Sequence, residues 1–458
     1  MNVDDLVWQV THYGGIPPRL VDRLVGLGRL DLVIRAAAER EEWFCAEAAV
    51  RALCGAGELE RAWALIEPFA ATGWRPAVRV AAEILLRQGR TEEALALLHP
   101  GEAAREGRDW RDYALMLAEA GRVDEAIEVL TPHLEDWWLL ETLVEMTEGQ
   151  GRDERVLGLI TPLAERVRQA TGERRWQCSD LWKALDLQAQ VLERAGRAEE
   201  AIRILGADVA ADRHLVQNTV AFYAELLARH GRIEELRALG TGDQAAVALE
   251  HYAKALEERG RAQEAEAVLR GFIDTTGHGG HRATLIGLLG RQGRIDEAVE
   301  VGRPTFEYYD CGNHLDWIVR LLVEDERPER ALELLEGCSE EYVREHAWWV
   351  RPTRLWLLGE AGRCQEALAE AAALPGEPGD WDIPIAFLLA QTGRVDDAVD
   401  LLRSSPALRA TSELAELLIE HGRPAEAVAV FPTVSAQRKK AQRRSEAAHR
   451  DPALEPPI

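Results

Sequence analysis

Residues 117–132, LAEAGRVDEAIEVLTP, carry the pattern that recurs along the whole chain. Val123, Ala126, Ile127 and Leu130 fall at i, i+3, i+4 and i+7, with acidic residues between them, which predicts a short amphipathic helix. Gly121 suits the left-handed residue just past a preceding helix, and Arg122 brings a cation to that helix's negative end. Asp124 and Glu125 occupy the first turn of the next helix, where carboxylates are favoured, and Pro132 is expected to stop it. The unit is a helix, a Gly-Arg turn and a second helix.

Thirteen turns align on this pattern: Gly28, Gly57, Gly89, Gly121, Gly151, Gly196, Gly231, Gly260, Gly293, Glu326, Gly362, Gly393 and Gly422. Arginine follows all of them except Gly57. Leucine stands four residues before the turn in twelve cases, and alanine five residues after it in ten. A small residue where two helices cross closely, with leucine beside it, is what a helical hairpin needs. The mean spacing from Gly28 to Gly422 is about 33 residues, within the range of helical solenoids. Two places break the rhythm: residues 166–180 between Gly151 and Gly196, and the Pro/Gly-rich residues 374–382. The expected division is an N-terminal cap and repeats over 1–165, an irregular insertion or hinge over 166–180, repeats over 181–436, and a basic tail over 437–458.

At this point the chain resembles the tetratricopeptide family, whose helix-turn-helix units carry a similar small-residue code. The turn glycine, the alanine five residues on, and the small residue seven before the turn (Ala82, Ala114, Ala189, Ala224, Ala253, Ala386, Ala415) correspond. The family's aromatic four residues before the turn is leucine here, and its closing proline is absent; proline instead stands eleven residues after the turn at Pro68, Pro100, Pro132 and Pro162. The resemblance implies an all-α, right-handed α-solenoid of about twelve to thirteen TPR-like repeats. It also implies that positions thirteen, ten, six and three residues before the turn line a concave groove. Carried over, these include Arg79, Arg108, Arg111, Trp138, Glu141, Glu145, Asn313, Arg320, Trp349 and Trp356. Exposed Trp and Arg are the residue types that anchor protein contacts. The family's basic clamp for peptide C-termini does not appear.

Composition narrows the partner. The chain carries 54 basic and 79 acidic residues, net -25, so sequence-independent attraction to nucleic acid or anionic lipid is disfavoured. The tail is the exception, with Arg438, Lys439, Lys440, Arg443, Arg444 and Arg450 against three acids. It reads as a solvated terminus, disordered at its tip DPALEPPI, that keeps the array from stacking end to end; its start is compatible with a helix capping the last repeat. The alternative is an electrostatic tether to RNA or an acidic partner. Six cysteines without a CxxC pair, an acidic N-terminus and no run of about 20 apolar residues fit a soluble cytoplasmic protein and no membrane.

Catalytic motifs are lacking: there is no GxxxxGK[ST], HExxH or GxSxG, and no strand for a Rossmann fingerprint. The chain is therefore expected to be no enzyme and to need no cofactor. His278, His281, Cys311 and His314 form HxxH and CxxH pairs in adjacent repeats, four donors suited to zinc. Repeat homology explains the same phase as a helix-start motif, and no metal is assigned. Fourteen tryptophans against seven Tyr and seven Phe are best placed in packing between repeats. The pairs Trp137-Trp138 and Trp348-Trp349 cannot both face inward, because neighbours on a helix point roughly 100° apart. The expectation is a non-enzymatic scaffold that binds a protein or peptide segment in the groove.

Overall fold

The structure, a computed structural model, describes residues 1–101, 107–170, 181–211, 217–242, 244–276, 279–306, 314–374, 376, 379–407 and 409–450. Helices and no strand occur among the described residues, and the fold is an all-α helical-repeat solenoid.

Most of the Gly-Arg turns are built the same way. After the helix Gly107–Glu119, Gly121 adopts φ +79°; its N–H donates to the Ala118 carbonyl at 3.0 Å, and the Arg122 N–H donates to the Leu117 carbonyl at 2.8 Å. That pair of reversed bonds satisfies carbonyls the helix end leaves open, and it needs a left-handed residue at the glycine position. Arg29 to Leu24, Arg90 to Leu85, Arg261 to Leu256 and Arg423 to Leu418 repeat the longer bond. The leucine four residues before the turn thus supplies both a capping carbonyl and a buried side chain. Glu326 takes the same left-handed conformation, φ +58°, without being glycine.

The turn arginine does more than face a helix end. Its guanidinium reaches forward to the acid three residues on, as Arg122 to Glu125 (2.5 Å), Arg294 to Glu297 (2.6 Å) and Arg423 to Glu426 (2.7 Å). It also reaches back to the preceding repeat, as Arg152 to Asp124 (2.8 Å), Arg294 to Glu266 (2.5 Å) and Arg423 to Asp396 (2.9 Å). Most of these pairs are solvent-exposed, Arg294–Glu266 being part-buried, so they set register between repeats more than they add stability. The stability comes from the interior. Ala62, Ala94, Ala126, Ala201, Ala298 and Ala398 are all fully buried, where the two helices of a hairpin meet. Pro132 follows its helix, Val123–Leu130, in a short 3-10 turn, Thr131–His133, whereas Pro68 and Pro162 lie inside helices Leu59–Ala70 and Asp153–Gln169.

The chain divides into two compact units. One unit joins Met1–Glu102 to Arg363–Ile458; the other is Ala103–Gly362. In the first, the opening and closing repeats share a single apolar core that includes Leu6, Leu20, Leu24, Leu53, Leu414, Leu418 and Phe431. The tail begins as a helix, Val434–Arg450, seated by Val434, Gln437 and Arg438, and residues 451–458 lie outside the described residues. Residues 171–180 of the expected hinge lie outside the described residues, and 166–169 simply complete the helix Asp153–Gln169.

Candidate functional site

Within the unit Ala103–Gly362, the groove register brings several of the expected residues together. Gly107–Glu119 and Trp137–Met146 are the first helices of consecutive repeats, the latter capped by Asp136, whose Oδ1 accepts from the Trp138 N–H at 2.9 Å. The half-buried Trp138 ring takes Arg111 at 5.2 Å and Arg108 at 5.8 Å from its centroid. Arg111 Nε donates to Thr142 Oγ1 at 3.1 Å, one turn along the Trp138 helix, which holds the guanidinium against the indole. Cation–π contacts of this kind strengthen when the pair is desolvated. Trp137 turns the other way, toward the next repeat, and meets Lys183 Nζ at 4.4 Å. Lys183 also stacks on Trp182 at 5.6 Å and pairs with Glu141. Glu145 is exposed one turn beyond Glu141. Arg108, Arg111, Trp138, Glu141 and Glu145 therefore form one surface of indole faces and fixed charges.

Asp186, on the same helix face as Lys183, was not among the expected groove residues. Its Oδ2 accepts from Thr219 Oγ1 at 3.4 Å, while Oδ1 has no hydrogen-bond partner among the described residues. Burial pushes its carboxyl up to about 7; the Thr219 bond and the Lys183 charge offset only part of that. Nearby, Asp208 is buried but fully engaged by Arg168 (2.8 Å), which also donates to Gln188 Oε1 at 2.8 Å. The contrast is physical: Asp208 has a guanidinium partner, and Asp186 has a weak hydroxyl bond.

Farther along this unit the register opens into a cleft of about 660 Å³ lined by Glu250, Lys254, Glu257, Ala283, Gly287 and Trp317, among others. The signal lay in the sequence: Gly280, Ala283, Gly287 and Gly290 stand thirteen, ten, six and three residues before Gly293, so the helix Gly279–Arg291 carries nothing larger than a methyl group at these positions. A Cβ on Gly287 would come within 3.1 Å of the Trp317 ring.

The other expected residues are placed apart from this surface. Arg79 lies in the other unit, paired with Glu83 at 2.6 Å. Arg320 pairs with Asp316 at 3.1 Å, and Trp356 Nε1 donates to Glu360 Oε1 at 3.0 Å. Trp349 is 9% exposed and packs edge-on to Tyr342, whereas its neighbour Trp348 is 73% exposed. The indole offered to solvent is thus the one outside the groove register. Asn313, His278 and Cys311 lie outside the described residues. His281 is buried edge-on to Phe272 at 4.5 Å, and His314 Nδ1 is 2.7 Å from Thr305 Oγ1. No group of three or more His, Cys, Asp or Glu side chains among the described residues is placed to hold a metal.

Comparison with known proteins agrees with the hairpin geometry. The family model described as tetratricopeptide repeat matches residues 76–100 and 408–431. Over those two segments the chain is similar to tetratricopeptide repeats, and its hairpins make it a helical-repeat protein. No curated protein matches this chain in sequence. Among solved structures it is similar to a chain of Naa15/Naa10 bound to HypK-THB, at 16% identity and TM-score 0.36, covering 88% of this chain and 68% of that one. Yeast Tom70 gives 12% and 0.30, over 82% and 96%. The pentatricopeptide repeat protein PPR10 from maize gives 16% and 0.27, over 95% and 78%. No helix of the chain, among the described residues, is long and apolar enough to cross a membrane.

Proposed function

We propose that this chain is a non-enzymatic cytoplasmic scaffold that binds a protein or peptide segment along the groove register of the unit Ala103–Gly362. The observation that carries the reading is the Arg108–Trp138–Arg111 stack beside Lys183 and Glu141. It joins two arginines and half-exposed indoles in fixed orientation, and such rigid Trp and Arg anchors dominate protein contacts. Holding them in place before binding lowers the ordering cost of association. The acidic remainder of the surface, within a net charge of -25, repels acidic competitors.

The test is affinity capture from native lysate, with and without nuclease, using the full-length chain and its Trp138→Ala/Arg111→Ala variant. A discrete protein that survives nuclease and falls at least about tenfold with the variant supports the reading, since loss of two anchors removes on the order of 2 kcal/mol or more. Circular dichroism of the variant checks that it is folded. Equal capture by both chains, or recovery of RNA alone, sinks it.

A further inference from the structure

In a helical-repeat array the first and last repeats each have a face with no covalently adjacent neighbour. In this chain those two faces meet each other inside one compact unit. Helix Pro18–Gly26 packs on Ala410–Glu420, and helix Val3–His12 packs on Val434–Arg450.

The seam is sorted by charge. On the N-terminal side, Arg19 pairs with Glu416, and Arg23 with Glu420 at 3.1 Å. The sign then reverses: Arg438 of the closing helix pairs with Asp5 at 2.6 Å and Asp4 at 3.3 Å. Between these patches Arg40 donates to the carbonyls of Val428 (3.0 Å) and Phe431 (2.6 Å), which end the last repeat's second helix. Arg40 is itself held by the fully buried Glu42 at 3.4 Å. Glu42 also accepts from Gln9 Nε2 (2.8 Å) and the Ile16 N–H (3.2 Å), so the N-terminal side of the seam is pre-built. The Gly15 N–H finishes the contact by donating to Gln437 Oε1 at 3.0 Å. A Cβ at Gly15 would fall 2.1 Å from Glu42 Oε2, so the backbone comes as close as glycine allows.

We propose that this seam is an ionic clasp, a separable contact between the two ends of the chain, whose release uncovers the apolar faces of Leu20, Leu24, Leu414 and Leu418. Three features support separability. No linker joins the two sides, unlike every consecutive pair of repeats. The attachment of Val434–Arg450 is confined to its first turns, and residues 439–443, 445 and 446 are exposed. The Arg19–Glu416 and Arg23–Glu420 pairs are partly exposed and screened by salt, whereas the alanine-leucine contacts inside hairpins are not. The clasp goes beyond the groove reading and stands without it.

The test uses hydrogen exchange on the full-length chain with no partner present. In wild type, raising salt from about 0.05 M to about 1 M should speed exchange in Val3–His12 and Pro18–Gly26 roughly three- to tenfold, leaving Gly107–Glu119 unchanged. Arg438→Asp should give a comparable acceleration at low salt, and the charge exchange Asp5→Arg/Arg438→Asp should restore protection. Salt-independent protection of the first two helices would overturn the clasp. So would an Arg438→Asp effect that the charge exchange fails to reverse, because that marks lost packing rather than lost charge.

Discussion

Glu326 occupies a backbone conformation that twelve sibling turns give to glycine. A left-handed non-glycine residue is strained by roughly 1–2 kcal/mol, and nothing at the sibling turns crowds a side chain, so the conformation alone sets the preference. Glu326→Gly is expected to raise stability by about 1 kcal/mol after the glycine's extra unfolded-state entropy is deducted, measurable as a higher urea midpoint at unchanged slope. Asp186 supplies a second residue-scale test. Its folded carboxyl titrates near 7, above its unfolded value, so the folded chain binds the extra proton between those limits. Stability from that proton is present below about pH 4 and is lost as pH rises through about 7. Asp186→Asn should therefore raise the unfolding free energy at pH 8 by on the order of 1–2 kcal/mol, seen as a higher melting temperature, and change little at pH 4. An equal shift at both pH values would show that the carboxylate's charge is not what matters there.

Among elements, the hairpin is the unit whose logic was legible before any coordinates. Gly121, Leu117 and Ala126 each do what their spacing implied: one reverses the chain, one caps and packs, one lets two helices approach. Ala126→Leu should cost about 1–3 kcal/mol by overpacking a fully buried position, whereas the same change at the exposed Ala436 should cost little. Thermal melts of the two variants compare them directly. The arginine of the turn was read only in part, because its partners in the preceding repeat lie about 30 residues back and follow from stacking, not from local pattern. Tryptophans were harder still. A register separates Trp348 from Trp349 by a turn of about 100°, but which of the two is buried depends on Tyr342 packing from a short helix outside the repeat rhythm. Trp138 and the two arginines meet because cation and indole share one register on consecutive helices.

At the scale of the whole molecule the sequence was silent on its largest feature. Asp5 and Arg438 carry no periodic signal that links them, and a charged tail has the same composition whether it is solvated or docked. The unit formed by both ends predicts a long-range effect: Leu418→Ala, at a fully buried position, should cost about 2–5 kcal/mol and lower exchange protection in Pro18–Gly26. Protection in Trp137–Met146, within the other unit, should be unchanged. A loss confined to Ala410–Glu420 would refute the shared core.

That shared core also sets a timetable for biosynthesis. Leu20 and Leu24 leave the ribosome early, and their complements Leu414 and Leu418 follow about 390 residues later, which at 5–20 residues per second is a wait of roughly 20–80 s. During that interval the first hairpins expose an apolar face that their own later repeats will cover. The nascent chain is then open to aggregation with its neighbours on a polysome, and a holding chaperone would have its natural target at the N-terminal end rather than in the middle of the array.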